Sequence, residues 1–168
     1  MAHIKVDIFN AAQLAAAERE LRELAERVQR LETELPKRLA ALGLSIAEAR
    51  FAEAAYDGTK DVSCRIEGDG NAVVLVAEGQ TVGFIEFGTG VTHPGHPKDP
   101  YGHGTYGKGY GARDYWKYRG EPGTNGRPST SQAGYVWTTG NDPARAMLSA
   151  SEEMRERILD IVREVLGT

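Results

Sequence analysis

Leucine or valine recurs every seventh residue at Leu14, Leu21, Val28, Leu35 and Leu42, and Ala17, Leu24 and Leu31 follow the first three at a spacing of three. A seven-residue interval split three and four returns side chains to one line on an α-helix and on no other regular backbone. It predicts a helix over residues 11–43 with an a/d seam. Glu18, Arg19, Glu20, Arg22, Glu23, Glu26, Arg27, Gln29 and Arg30 lie between the seam positions and suit a solvated outer face. Two partners fit such a seam, the chain's own sheet or the helix of another copy, and the sequence leaves both open. Pro36 lacks an amide donor and crowds the preceding turn, so a kink or restart is expected there. A first segment of 25 residues would be about 37 Å long. Gly43 reads as a C-terminal stop, and Ser45 with Glu48 as a capping box for a short helix ending near Tyr56-Asp57-Gly58.

Strand patterns follow. Asp61–Ile66 alternates Val62, Cys64 and Ile66, Ala72–Ala77 is apolar and β-branched, and turn-forming residues separate the two. Thr81–Phe87 also alternates, with Val82, Phe84 and Glu86 on one side and Ile85 and Phe87 on the other. A last strand, Tyr135–Thr138, is expected to join the same antiparallel sheet. Asn141 or Asp142 then caps a C-terminal helix with Pro143 in its first position, and Met147, Met154, Ile158, Ile161 and Val165 mark its apolar stripe. The expected architecture is α+β, with a long N-terminal helix, a small antiparallel sheet and an amphipathic C-terminal helix. Its 168 residues fit one domain, 1–168.

Residues 88–133 differ from the rest. They hold eleven of the twenty glycines, five of the seven prolines, five of the seven tyrosines and three of the four histidines. They carry a net charge of +3 in a chain of −4, which leaves the remainder at −7. The stretch reads as one long insertion, too aromatic for a plain solvating linker. No apolar run approaches the length of a membrane helix, and the N-terminal residues lack the apolar core of a signal peptide. A soluble protein of a reducing cytoplasm is therefore expected, with Cys64 as its lone thiol.

Five kinds of chemistry are worth weighing. His93, His96 and His103 form the single histidine cluster, but Pro94, Gly95 and Pro97 deny it the helix on which two ligands converge. Exposed or partner-contacting histidines are the favoured reading, with no metal and no cofactor. Gly88-Thr-Gly90 and the glycines around Lys108 lack the Lys-Ser/Thr pair and following helix of a phosphate loop. Cys64 sits mid-strand as a small hydrophobe, and Ser129 and Ser131 have no strained turn to present them. Glu86 is a carboxylate among apolar neighbours; a general base is one reading, and a wet face or subunit salt bridge is the favoured one. The basic and aromatic residues Tyr106, Lys108, Tyr110, Arg113, Tyr115, Trp116, Lys117, Tyr118 and Arg119 could stack on nucleic acid or anchor a protein interface. The acidic remainder favours the protein interface.

Phe84-Ile-Glu-Phe-Gly-Thr-Gly-Val91 resembles the central signature of a phage family, the small tail-component proteins of siphophages and prophages. These are described as neck, head–tail joining or tail-completion proteins. Tyr118-Arg-Gly-Glu-Pro-Gly-Thr-Asn-Gly126, Val136-Trp-Thr-Thr-Gly-Asn-Asp-Pro-Ala-Arg-Ala-Met147, Ala52-Glu-Ala-Ala-Tyr-Asp-Gly58 and the Gly-Lys-Gly of 107–109 are similar to one branch of it, in the same order. Asp142 departs from the more usual Gly-Asn-Pro and moves the expected helix cap by a residue. The resemblance implies a structural virion protein without catalysis, made in the host cytoplasm. It implies a ring of copies, six by analogy with such tails, between the head connector and the tail tube or its terminator. A terminator ring on the tube is the alternative place, and passing phage DNA a transient contact. Glu86, Phe87, Gly88, Thr89, Gly90, Tyr106, Tyr110, Tyr115, Trp116, Tyr118, Arg119 and Trp137 are the candidate interface residues.

Overall fold

The computed structural model describes residues 10–68, 72–92, 109–110, 115–123 and 126–167. Helix α1 runs unbroken from Ala11 to Glu53, opened by Asn10, whose side chain accepts from the amides of Ala12 and Gln13 at 3.1 and 3.2 Å. The break expected at Pro36 and the stop at Gly43 are both absent. Pro36 forgoes one amide bond within a helix whose second half is packed against the body, and Ser45 and Glu48 lie inside the helix, not at a new start. Gly43 serves packing instead: it is buried, and a Cβ there would sit 2.7 Å from Met154 Sδ on the C-terminal helix.

That helix, α3, spans Ala146–Leu166 and lies antiparallel to the second half of α1. Ala47 and Phe51 pack with Ala146 and Ala150, while Arg38 reaches Glu164 at 3.6 Å toward the other end. Small residues at 40, 43, 47, 146 and 150 let the two backbones come close. Strands β1 (Ser63–Gly68) and β2 (Val73–Glu78) pair antiparallel, with Cys64 opposite Ala77 and Ile66 opposite Leu75. Cys64, Leu75 and Ala77 turn inward onto the helices.

The third expected strand is a helix, α2 (Val82–Glu86). The Asp61 carboxylate accepts from the amides of Gln80 at 2.7 Å and Thr81 at 2.9 Å, and from the Thr81 hydroxyl, so it holds the entry to α2. The helical turn buries the adjacent Ile85 and Glu86 together, whereas a strand would send them to opposite faces.

Tyr135–Thr138 does not join the first sheet either. It is the central strand, β7, of a second antiparallel sheet with β5 (Trp116–Arg119) and β6 (Arg127–Pro128), in the order β5-β7-β6. Both edges come from within 88–133, a stretch that also contributes the short parallel pair β3 (Val91–Thr92) and β4 (Gly109–Tyr110). The architecture is α+β, and among the described residues no helix is long and apolar enough to cross a membrane.

Candidate functional site

The second sheet has two unlike faces because side chains alternate along its strands. Trp116 pairs with Thr138 and Tyr118 with Val136, which puts all four on the inner face, where Val136 and Thr138 are buried. The outer face carries Lys117, Arg119 and Arg127 around Trp137. Tyr115 meets Trp137 edge-on with centroids 5.1 Å apart, and Lys117 Nζ lies 4.2 Å from the centre of the Trp137 ring. The basic and aromatic residues read as one mixed run are thus sorted by the strand period. Trp116 and Tyr118 face in; Tyr115, Lys117 and Arg119 face out.

The inner face closes a polar junction. Tyr118 donates its hydroxyl to the Asp57 carbonyl, which also accepts the Gly123 amide at 2.5 Å. Thr138 donates to Asp57 Oδ2 and accepts the Gly140 amide at 2.9 Å. Thr89 and Asn141 exchange backbone bonds of 2.9 and 3.1 Å, and the Thr89 hydroxyl donates to Asn141 Oδ1 at 2.6 Å. Gly88 (φ +66°) and Gly140 (φ +95°) flank this bridge, and a Cβ on Gly88 would lie 2.6 Å from the Asn141 carbonyl oxygen. Tyr56, Asp57, Phe84, Thr89, Trp116 and Tyr118 are among the walls of a cavity of about 250 Å³ at this point. Asp57 Oδ1 is buried beside it and has no hydrogen-bond partner among the described residues. Burial, followed by the neighbouring Asp61 and Asp57 charges, pushes the Tyr56 phenol up; burial, followed by Asp57 and Tyr56, does the same to Tyr118.

Glu86 completes the junction from below. Its two carboxylate oxygens accept the amides of Met147 at 3.0 Å and Leu148 at 3.2 Å, at the first turn of α3. Ala144 and Arg145 donate their amides to the carbonyls of Ile85 and Glu86 at 2.9 and 3.1 Å, and Arg145 takes a left-handed φ of +50° to do so. The expected cap at Asn141 or Asp142, with Pro143 first in the helix, is therefore replaced. Asn141 is held by Thr89 and the helix opens at Ala146, capped by a carboxylate from sixty residues earlier in the chain. Sequence reading singled out Glu86 but could not find this role, because the signal is tertiary.

The named interface residues thus divide. Glu86, Thr89 and Tyr118 spend their polar atoms inside the junction, and Gly88 and Gly90 are buried with them. Phe87, Tyr115 and Arg119 are exposed, and Trp116 and Trp137 are half-buried. The Tyr110 backbone pairs opposite Thr92, and Tyr106 lies outside the described residues. So do His93, His96 and His103; among the described residues no three His, Cys, Asp or Glu side chains are grouped to hold a metal ion. Burial, with Glu48 nearby, raises the Cys64 thiol and keeps it protonated, so it is a poor nucleophile.

Four of the five segments that carry the sequence resemblance meet here. Ala52–Gly58 supplies Asp57, Phe84–Val91 supplies Glu86 and Thr89, Tyr118–Gly126 supplies Tyr118 and Gly123, and Val136–Met147 supplies Thr138 and Asn141. Compared with family models, curated proteins and solved structures, the chain matches none.

Proposed function

We propose that this protein is a non-enzymatic assembly component of a phage virion, a neck or tail-completion protein. Its copies form a ring joining the head connector to the tail tube. The supporting observation is the convergence of four of the five resembling segments on one hydrogen-bonded junction that fastens α1, α2, the second sheet and α3 together. Such a junction fixes the relative pose of exposed surfaces, which is what a ring subunit requires of its body. The outer face of the second sheet, with Tyr115, Lys117, Arg119, Arg127 and Trp137, is the docking surface in this reading. Its basic and aromatic character suits the acidic remainder of a neighbouring copy. A head-to-tail contact of this kind closes into a ring when the rotation is right, and six copies would match the symmetry of such tails. A terminator ring capping the tail tube uses the same surfaces at a neighbouring level.

Cryo-electron microscopy of purified virions tests the assignment. A ring at the head–tail junction built from this chain is the expected result, and absence of the chain from mature particles overturns it. A second reading places the same basic face against DNA, favoured by Lys117 stacked over Trp137 beside Arg119 and Arg127. A gel shift that weakens as salt rises would support it, and no shift at low salt removes it.

A further inference from the structure

Over its first half, the heptad seam of α1 is not the face by which α1 joins the body; farther along, Leu35 and Leu42 are half-buried beside it. Ala40, Gly43, Ala47 and Phe51 are buried against the rest of the chain. At 3.6 residues per turn they lie roughly 85° around the helix from the line through Leu14, Leu21 and Val28. Between residues 18 and 30 every side chain is exposed, and Leu21, Leu24 and Val28 keep 56%, 55% and 45% of their surface. The first twenty residues of α1 therefore project by about 30 Å with an apolar line pointing at solvent. Isolated helices of this length are marginal in water, and their stability comes from packing an apolar face.

We infer that residues 14–31 form a two-stranded coiled coil with the same segment of a second copy of this chain. The interval of seven, shorter than two full turns of a straight helix, is the period that keeps a seam facing a partner over several turns. Leu14, Leu21 and Val28 fall at a, and Ala17, Leu24 and Leu31 at d. The flanking charges fit self-pairing. With helices parallel and in register, Arg27 at g meets Glu32 at e of the other copy, twice by symmetry, and no like charges face each other among the flanking residues of the seam. With helices antiparallel, Arg27 meets Glu20, again twice. A second copy thus supplies both the apolar seam and the countercharge in either orientation. The inference does not depend on where the protein acts.

Sedimentation velocity on the full chain over a range of concentrations tests it, with circular dichroism to follow the body. A concentration-dependent dimer is expected. Leu21→Glu with Leu24→Glu should give a monomer whose melting transition is retained, because both residues are exposed in the single chain. Arg27→Glu should weaken the dimer about tenfold, since two attractive pairs become repulsive. Adding Glu32→Arg restores it if the helices run parallel, and adding Glu20→Arg restores it if they run antiparallel. A wild-type chain that stays monomeric at millimolar concentration overturns the inference. So does a dimer that the seam substitutions leave intact, or one that neither reversal restores. None of these outcomes bears on the virion assignment, which rests on particle imaging.

Discussion

Glu86 shows how much one side chain can settle. Its carboxylate satisfies two amides at the start of α3, where the helix dipole favours negative charge, while its backbone carbonyl accepts from Arg145. Glu86→Ala strands two amide donors in the interior, and a loss of about 2–3 kcal/mol in urea unfolding is expected. Glu86→Gln, which keeps one acceptor but no charge, should lose about half of that. Asp61 is a second such clamp, on the surface. The Thr81 hydroxyl, then the amides of Gln80 and Thr81, hold its carboxyl below the usual range, so the folded state binds its proton less readily than the unfolded chain. That stability is present above the unfolded value of about 3.9 and is lost as pH falls through the lower folded value. Melting temperature followed from neutral pH into acid should therefore decline less steeply in Asp61→Asn than in the wild type. Neither role was legible in the sequence, because each depends on an amide brought close by folding.

Among the elements, α1, α3 and the β1–β2 hairpin were legible in position, since each has enough turns or alternations for its period to be clear. The five residues of α2 were not. Val82, Phe84 and Glu86 alternate as well in a strand as they sit in one helical turn, and only burial of Ile85 beside Glu86 decides between them. The junction was legible as four separate motifs and not as one place, because nothing local says that Asp57 will meet Tyr118 and Thr138. Pro36 was weighted by its local cost, yet the contacts of the second half of α1 with α3 and the hairpin outweigh it. That cost remains in the fold, so Pro36→Ala is expected to raise stability by roughly 1–3 kcal/mol, less the packing of its half-buried ring, read from the urea midpoint.

At the scale of the whole molecule, one part is tied down from many sides, while residues 18–30 of α1 are exposed throughout. The hydrophobic centre gathers Ala47, Phe51, Ile85, Ala146 and Ala150 from three separate stretches, whereas the first half of α1 touches solvent all round. Hydrogen exchange read by mass spectrometry on dilute protein should find residues 13–30 exchanging orders of magnitude faster than residues 146–161. Self-pairing through the seam would slow that exchange as concentration rises.

The same layout sets an order of events during synthesis. The centre cannot close until Ala146 and Ala150 have been made, because both belong to it and the cap from Glu86 needs the amides beside them. The seam at residues 14–31 leaves the ribosome long before, at a synthesis rate of about 5–20 residues per second. Neighbouring ribosomes on one message therefore expose matching helices while their bodies are still unfinished. If the seam pairs as proposed, subunits would find each other as nascent chains, and each body would fold beside a partner already in place.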